Sequence, residues 1–318
     1  MSFEIRHVNY RSSESDKREV MKFSSGAYGR MTESRLEEPW GEESYSLAAA
    51  FVGERCIGTS AYTVSARGQG IMAQVFTDAE YRGKGIARAT IGAAIEGYRE
   101  HGARAVYLAS WKDWVRALYR SFGFEFVGAM GERHAFKLTL EPSGRDEVLF
   151  APDQAACTRS MAVGDQGDLS ALFNAGHGGV VKHYELGCFL GSHFEGEFYA
   201  LREEHTGFEG VVLDGEETVL GFGTIIPSRR RHEAHRGVLD LLVHPNYADR
   251  FAELLDRLHR ESRMEVVTAF VEDSEEARRQ AFERAGYRAV GRLEDCLRIG
   301  KEVFSLTSYE KRLDRSAG

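Results

Sequence analysis

Proline, cysteine and long apolar runs are scarce in this sequence, and each scarcity excludes a class of protein. Only 5 of its 318 residues are proline and 4 are cysteine. The cysteines lie far apart, at Cys56, Cys157, Cys188 and Cys296. No close pair has metal-ligand spacing, so we expect reduced thiols rather than a disulfide framework. No run of about 18 apolar residues occurs, which argues against a membrane-spanning helix.

An excess of positive charge is also missing. Lysine and arginine number 41 against 49 aspartates and glutamates, giving a net charge of −8 and a pI near 5.8. This balance argues against nucleic acid or an anionic membrane surface as the main partner. The first ten residues lack the apolar core of a signal peptide, so the sequence predicts a cytoplasmic protein. Its length suits two domains of roughly 100–200 residues each.

What the sequence does contain is an alternation of strand-like and helix-like segments. Apolar runs typical of strands lie at 47–52, 57–64, 72–77, 106–109 and 124–127. Between the third and fourth, apolar residues recur three and four apart over 86–100, which predicts a helix that Gly102 ends. A shorter helix is predicted before Gly123. This order predicts an α/β fold with a mixed sheet, of the α+β kind.

The same order of elements recurs in the second half of the chain. Residues 141–158 carry two prolines, a Ser-Gly pair and no clear period, and we interpret them as a linker. Matching landmarks keep a nearly constant spacing of 163 to 166 residues: Gly58 with Gly221, Tyr81 with Tyr247, and Gly123 with Gly286. Such a repeat predicts two tandem domains, at 1–140 and 159–318.

The most informative segment is Tyr81-Arg82-Gly83-Lys84-Gly85-Ile86-Ala87, which follows a predicted strand and opens a predicted helix. Glycines there let backbone N–H groups approach a ligand, and the helix start adds a positive dipole end, which suits a pyrophosphate. The third glycine of a dinucleotide-binding loop is absent, and so is the Gly-Lys-Ser or Gly-Lys-Thr of a P-loop. A tight turn without a ligand is the alternative interpretation.

Two motifs in order resemble those of the GNAT superfamily of N-acetyltransferases. Residues 82–87 resemble the family's coenzyme A signature, Arg/Gln-x-x-Gly-x-Gly/Ala. One strand and one helix later, Leu118-Tyr119 followed by Gly123-Phe124 resembles its second landmark. The resemblance covers roughly residues 3–140. One position departs from it, because Lys112 stands where the family often has an asparagine.

The resemblance implies a coenzyme A site with acetyl-CoA, or another acyl-CoA, as co-substrate and no metal. It implies that backbone groups of the strand residues Val75, Phe76 and Thr77 bind the pantetheine amides. The pyrophosphate would be held by the N–H groups of Arg82, Gly83, Lys84, Gly85, Ile86 and Ala87. Tyr119 would lie beside the thioester sulfur and protonate the leaving thiolate. The alternative for Tyr119 is an aromatic side chain on the buried face of its helix.

Acyl transfer to an amine also requires a base, because a primary amine has a pKa near 10. The candidates are Asp78, Glu80, Glu125 and His134. An acidic run with one tryptophan precedes the first hairpin, at Glu33, Glu37, Glu38, Trp40, Glu42 and Glu43. This run could form an acidic, aromatic mouth for a cationic amine, or it could be a solvated helix face.

The second domain lacks both motifs. Where the phosphate loop would lie, the sequence has Ala248-Asp249-Arg250-Phe251-Ala252, without glycine and with a carboxylate facing the diphosphate position. Phe282 replaces the tyrosine. His232 and His235 have no third metal ligand at suitable spacing. The sequence therefore predicts a degenerate GNAT-like domain that shapes the acceptor cleft, docks a partner or stabilises the first domain.

Together these patterns predict an N-acyltransferase that moves an acetyl or other acyl group from acetyl-CoA to the amine of a small molecule, by direct attack in a ternary complex. The basic cluster at 228–231 suggests an alternative donor, the phosphopantetheine thioester of an acyl carrier protein. A non-catalytic acyl-CoA-binding module is a third possibility. Neither nucleic acid nor a membrane is expected as a partner, and the oligomeric state is not indicated by the sequence.

Overall fold

The computed structural model describes residues 2–110, 113–130, 133–152, 154–177, 179–185, 187–189 and 209–314. Within these ranges, two mixed seven-stranded sheets follow one another along the chain. The predicted α/β fold, with a mixed sheet in each of two tandem domains, is confirmed. In the part of the chain described, no helix has the length and apolar character needed to cross a membrane.

The first sheet has the spatial order β1-β2-β3-β4-β5-β7-β6. Its strands are β1 (Glu4–Val8), β2 (Ser44–Val52), β3 (Arg55–Val64), β4 (Gln69–Thr77), β5 (Ala105–Ser110), β6 (Glu125–Met130) and β7 (Arg133–Thr139). Its helices are α1 (Glu14–Met21), α2 (Gly26–Glu37), α3 (Ile86–Glu100) and α4 (Asp113–Arg120). Neighbouring strands are antiparallel except β4 and β5, which are parallel and joined through α3.

The apolar stripe that predicted α3 is its buried face. Ile91, Ala94, Ile95 and Tyr98 pack with Tyr62 and neighbouring residues of the sheet. The helix ends at Glu100, and Gly102 follows with a φ of 69° that glycine adopts without strain. This packing holds the start of α3 beside the carboxyl end of β4.

The second domain repeats the first. After α5 (Asp146–Leu149) come β8 (Ala156–Ser160), α6 (Gln166–Asn174), β9 (Val181–His183), β10 (Cys188–Phe189), β11 (Glu209–Gly215), β12 (Val219–Pro227), β13 (Arg236–Val243), α7 (Phe251–Glu261), β14 (Val266–Glu272), α8 (Glu276–Arg284), β15 (Arg288–Ile299) and β16 (Glu302–Arg312). The spatial order β8-β11-β12-β13-β14-β16-β15 matches that of the first sheet strand for strand, and β13–β14 is its parallel pair.

Local geometry at the landmarks also repeats. Gly123 and Gly286 end equivalent helices with φ of 92° and 83°. Directly after each glycine, an aromatic residue donates its N–H back to the preceding helix, from Phe124 to Tyr119 at 3.3 Å and from Tyr287 to Phe282 at 3.0 Å. The spacing of landmarks in the sequence therefore reflects equivalent positions in the two folds.

The two sheets share a tightly packed joint. Helix α6 lies against β4 and β5, where a Cβ on Gly167 would come within 2.1 Å of the Gln69 carbonyl oxygen. The segment interpreted as a linker is structured, since Leu149 and Phe150 are buried in the second core and β8 begins within it at Ala156. Ion pairs cross the joint, including Arg104 with Glu217 at 2.5 Å.

Candidate active site

The start of α3 is an exposed glycine loop. Gly83 and Gly85 have φ of 74° and 82°, and Gly85 is the N-terminal cap residue of the helix. A Cβ on either glycine would meet no atom within 4 Å, so these positions require glycine for backbone conformation rather than for space. Residues 82–85 are all exposed. The loop therefore leaves its N–H groups open to an anion.

Three cationic side chains surround this helix start. The Arg82 Nε donates to the Thr77 carbonyl at 3.3 Å, and the Lys84 Nζ donates to the Glu80 carbonyl at 2.8 Å. Arg88 lies over the Phe122 ring at 5.4 Å. Beside the loop, the Thr77 Oγ1 is buried and has no hydrogen-bond partner among the described residues. The charges, the open glycines and this hydroxyl fit a bound diphosphate.

A gap between β4 and β5 leads away from the loop. The two parallel strands pair only at 69–71 with 105–107, although β4 continues to Thr77 and β5 to Ser110. The predicted binding residues Val75, Phe76 and Thr77 lie on this unpaired end of β4 and are half-buried or exposed. Their backbone groups on the β5 side are not used by sheet pairing.

Gln74 is a residue at this gap that sequence reasoning missed. It has a φ of 48° and lies in a bulge of β4, where the pairing with β3 slips between Ala73 and Phe76. No sequence signal marks the bulge, because glutamine is not a residue typical of the left-handed region.

Tyr119 lies on α4 and is 6% exposed. Its ring contacts Phe124 and Phe136 at centroid distances of 5.8 and 6.2 Å, so the buried-aromatic interpretation holds for the ring. Burial raises the pKa of its hydroxyl to about 12, which keeps the proton on the phenol at neutral pH. Lys112, the position that departs from the family motif, lies outside the described residues.

The candidate bases have different surroundings. Asp78 caps the turn at Ala79–Tyr81 by accepting the Glu80 N–H at 3.0 Å and pairs with Arg55 at 2.8 Å. These contacts lower the pKa of Asp78 and give it a structural role. Glu80 is exposed and lies 3.3 Å from Arg55. The structure therefore ties both acids beside the loop to Arg55.

The other two candidate bases lie on the hairpin after α4. Glu125 is exposed on β6. His134 is half-buried on β7, with its ring 5.4 Å from that of Phe126. Because alternate residues of a strand share a face, His134 lies on the same side of the sheet as Phe136, which contacts Tyr119.

Some residues of the acidic run with Trp40 are exposed and others are buried. Glu33, Glu37, Glu38 and Glu42 are exposed, as the solvated-face alternative predicts. Glu43 is buried and pairs with the Arg35 Nε at 2.8 Å, and the Arg35 guanidinium lies 4.3 Å from the Trp40 ring. Trp40 packs into the core shared with the second domain. Trp40 and Glu43 therefore belong to the joint and not to an open acidic mouth.

The equivalent loop of the second domain is bound to its own chain. Residues 245–250 form a 3-10 turn, and Arg250, before α7, has a φ of −85°. Tyr247 is buried, and its hydroxyl donates to the Ala151 carbonyl and accepts the Gln154 N–H at 3.2 Å. Asn246 donates to the Phe150 carbonyl at 2.7 Å. The segment joining the domains thus contacts this turn at Asn246 and Tyr247, while Ala248 and Asp249 are exposed.

Phe282 takes the place of Tyr119 as a core residue. It is fully buried, with ring centroids of Phe251, Tyr287 and Tyr309 at 5.2, 5.1 and 6.3 Å. His232 and His235 are exposed. Among the residues that the structure describes, no three histidine, cysteine or acidic side chains are grouped to hold a metal.

Residues 16–124 match the model of the Acetyltransferase (GNAT) family, and the match includes both motifs. The N-terminal half of the chain therefore contains a GNAT acetyltransferase domain, and the protein is an acyltransferase. No curated protein matches the chain in sequence.

Solved structures similar to this chain each cover about half of it. An N-acetyltransferase from Staphylococcus aureus Mu50 is 18% identical, covering 50% of this chain and 99% of its own, with a TM-score of 0.43. A GNAT-family acetyltransferase from Streptococcus pneumoniae is 14% identical, with coverages of 50% and 100% and a TM-score of 0.41. A ribosomal-protein-alanine N-acetyltransferase from Brucella melitensis is 19% identical, with coverages of 49% and 99% and a TM-score of 0.39.

Proposed function

We propose that the first domain transfers an acetyl or other acyl group from acetyl-CoA to the amine of a small molecule, by direct attack in a ternary complex. The observation that carries the proposal is the glycine loop at the start of α3, beside the gap between β4 and β5. The loop offers N–H groups and a positive helix end to a diphosphate, and the gap offers free backbone groups to an amide-containing arm. The family match supports the same chemistry.

Acetyl-CoA supplies the acyl group as an activated thioester when it is bound. In the proposed complex, the N–H groups of residues 82–87 bind its diphosphate, and the cationic side chains around the loop add attraction. Backbone groups of residues 75–77 bind the pantetheine amides and polarise the thioester carbonyl. These residues act through main-chain atoms, so side-chain identity matters little at most of them.

Tyr119 is the proposed general acid. As the bond between the carbonyl carbon and sulfur breaks, its phenol gives a proton to the departing sulfur. A pKa of about 12 keeps that proton available at neutral pH. Glu125 and His134 are the two proposed alternatives for the base that takes the proton from the amine.

An amine-library screen with acetyl-CoA, following release of free thiol, tests the proposal. We expect saturable release with one chemical class of amine and an acetylated product by mass spectrometry. Saturable acetyl-CoA binding without amine-dependent release from any class would favour the non-catalytic acyl-CoA-binding module instead. Glu125→Gln and His134→Gln, assayed with the best amine, then identify the base.

The alternative donor is an acyl carrier protein. One observation favours it, since Arg229, Arg230 and Arg231 are exposed in the loop between β12 and β13 of an otherwise acidic protein. An acidic partner would be attracted to such a loop. Turnover with free acetyl-CoA and with a loaded carrier protein, each measured before and after replacement of the three arginines by glutamine, separates the two donors.

A further inference from the structure

Gln74 has a backbone conformation that requires support. Its φ of 48° is one of only two positive values among the described residues other than glycine. Thr59 pairs with Phe76 and Ala61 with Ala73, so β4 has two residues, Gln74 and Val75, where β3 has one. A left-handed conformation costs a residue with a side chain about 1–2 kcal/mol. Surrounding contacts must therefore hold the bulge in place.

The side chain of Gln74 supplies those contacts. The Ser24 hydroxyl donates to its Oε1 at 3.0 Å, and its Nε2 donates to the Thr32 Oγ1 at 2.6 Å. The Thr59 hydroxyl donates to the Gln74 carbonyl at 3.0 Å. Ser24 lies between α1 and α2, and Thr32 is a buried residue of α2. The side-chain amide of Gln74 thus joins the bulge to the residues just before α2 and to the second turn of that helix.

The bulge lies at the point where β4 leaves β5. Sheet pairing with β5 ends at Ile71, and the residues proposed to bind the acyl donor begin directly after Gln74, at Val75. A bulge changes the direction of the residues that follow it. The Phe76 ring also packs on Phe23 with centroids 4.5 Å apart, so the same α1–α2 connection contacts the donor strand twice.

The second domain shows what is specific to the first. Asp240 of β13 occupies the place of Ala73, next to Gln74, because Ala73 pairs with Ala61 and Asp240 with Thr224, and these two partners keep the 163-residue spacing of Gly58 and Gly221. Its carboxylate accepts the N–H groups of Tyr184 and Glu185 at 2.6 and 3.1 Å, so it also holds the segment that covers its strand. Asp240 pairs directly with Thr224, without a bulge. The bulge is therefore a feature of β4 that β13 lacks, although each strand carries a side chain that binds a neighbouring segment.

We infer that Gln74 is a positioning residue for acyl transfer. Its amide fixes the bulge and so sets the direction in which residues 75–77 present their backbone groups to the thioester. It also makes the α1–α2 connection and the donor strand one rigid unit. This inference rests on the proposed function, because it assigns Gln74 a role only through the groups that bind the acyl donor.

Two variants and one control test the inference. Gln74→Gly removes the tether and tolerates the positive φ, whereas Thr32→Val removes the hydroxyl partner without changing β4. Asp295→Gly is the control, because Asp295 has the other positive φ and lies on the β15–β16 hairpin. The readouts are kcat, the Kd of acetyl-CoA, and the carbonyl ¹³C chemical shift of bound [1-¹³C]acetyl-CoA.

We expect Gln74→Gly to lower kcat by about 10- to 100-fold, at or below the range for losing one oxyanion donor, while the Kd changes by less than about threefold. The ¹³C shift should move toward that of free acetyl-CoA, and Thr32→Val should show part of both effects. The control should match wild type in all three readouts.

Wild-type kcat and ¹³C shift in both variants, with the fold intact by circular dichroism, would overturn the inference. So would equal losses of kcat, acetyl-CoA affinity and thermal stability, which indicate a merely structural residue. Failure of the proposed function is seen separately, in the wild-type protein. If wild type binds no acetyl-CoA, both proposals fail; if it binds acetyl-CoA and acetylates no amine, only the transfer is lost, and the ¹³C shift still tests Gln74.

Discussion

The two domains have one topology but opposite surfaces at the same place. At the carboxyl end of β4, residues 73–77 are half-buried or exposed, whereas in β13 the equivalent residues Asp240, Leu241 and Leu242 are buried and Val243 is half-buried. At the turn before the following helix, Tyr81 is half-buried, whereas its equivalent Tyr247 is buried and contacts the segment that joins the domains. The same sheet order therefore supports a more exposed strand end in the first domain and a more buried one in the second.

This difference shows that strand order and ligand site depend on separate sets of residues. The strand order follows from apolar patterning and from glycines such as Gly123 and Gly286, which both domains keep. The proposed site depends on a few positions, chiefly the two loop glycines, the bulge at Gln74 and the tyrosine at 119. Each of the following experiments changes one of these differences between the domains.

The largest expected effect comes from the phosphate loop. Gly85→Glu should lower coenzyme A affinity at least about 100-fold, because it adds a strained side chain and a negative charge at the proposed diphosphate site. Gly85→Ala is the matched variant, which adds strain without charge and should lose less. Calorimetry should give one site per chain for wild type and for Asp249→Ala in the second domain. Two equivalent sites in wild type would contradict the comparison.

The tyrosine should have the next largest effect. Tyr119→Phe should lower kcat by about 10²–10³, the range of general acid catalysis, with little change in coenzyme A binding because the ring packing remains. The loss could lie near the lower end, since a thiolate with a pKa of about 8.5 is a tolerable leaving group. Turnover within about twofold of wild type, in a folded variant, would remove Tyr119 from the mechanism. The reverse change, Phe282→Tyr, should add no activity to the second domain.

Phe282 should instead matter for stability. Phe282→Ala removes a fully buried ring and should lower the free energy of unfolding by about 3–5 kcal/mol. Thermal denaturation measures this effect, with the exposed Phe126→Ala as the control that should cost much less. The affinity for acetyl-CoA, measured at a temperature at which the variant is folded, should stay near that of wild type. A stability equal to wild type would show that the second domain does not depend on this core residue.

The smallest effect concerns pH. His244 and Asp78 cap equivalent turns, because each accepts the N–H of the residue two positions later. The His244 Nδ1 accepts the Asn246 N–H at 3.2 Å, so this nitrogen carries no proton and the ring is neutral. Burial lowers the pKa of His244 from 6.5 to about 4. Between these values the unfolded state binds more protons, so the free energy of unfolding falls as pH drops from 6.5 to 4, by up to about 2–3 kcal/mol.

The pKa of Asp78 is also lowered, so its contribution is lost only below the usual range of an aspartate, near 3.8. His244→Asn keeps an acceptor that does not titrate, and its Tm should fall less than that of wild type between pH 6.5 and 4. Parallel Tm curves for the two proteins would show that the His244 cap does not titrate in this range.

Much of the fold could be predicted because it depends on local patterns. The period of α3, its closing glycine and the 163- to 166-residue spacing of landmarks predict the helices, the strands and the duplication. The exposed glycine loop at the start of α3 was also predicted, because glycine between a strand and a helix is a local signal. The role of Tyr119 in acid catalysis stays a prediction, and so do the roles of residues 75–77 and 82–87.

Other features could not be predicted because they depend on distant contacts. The bulge at Gln74 is held by Ser24 and Thr32, about 40 to 50 residues away in sequence. Trp40 and Glu43 look like part of an open mouth until the second domain packs over them. The same packing explains why the segment at 141–158, which lacks a period, has Leu149 and Phe150 in a core.

The joint around α6 has a consequence for how the chain is made. Gly144 and Gly167 bring backbones so close that a Cβ on either would lie 2.1 Å from a carbonyl oxygen, at Arg104 and Gln69 respectively. The face of β5 beneath this joint carries the buried Tyr107. During synthesis the first sheet leaves the ribosome before α6 has been translated, so the face of β5 that α6 covers is exposed to solvent until then. We therefore expect the first domain to reach its final packing only after α6 of the second domain has been translated.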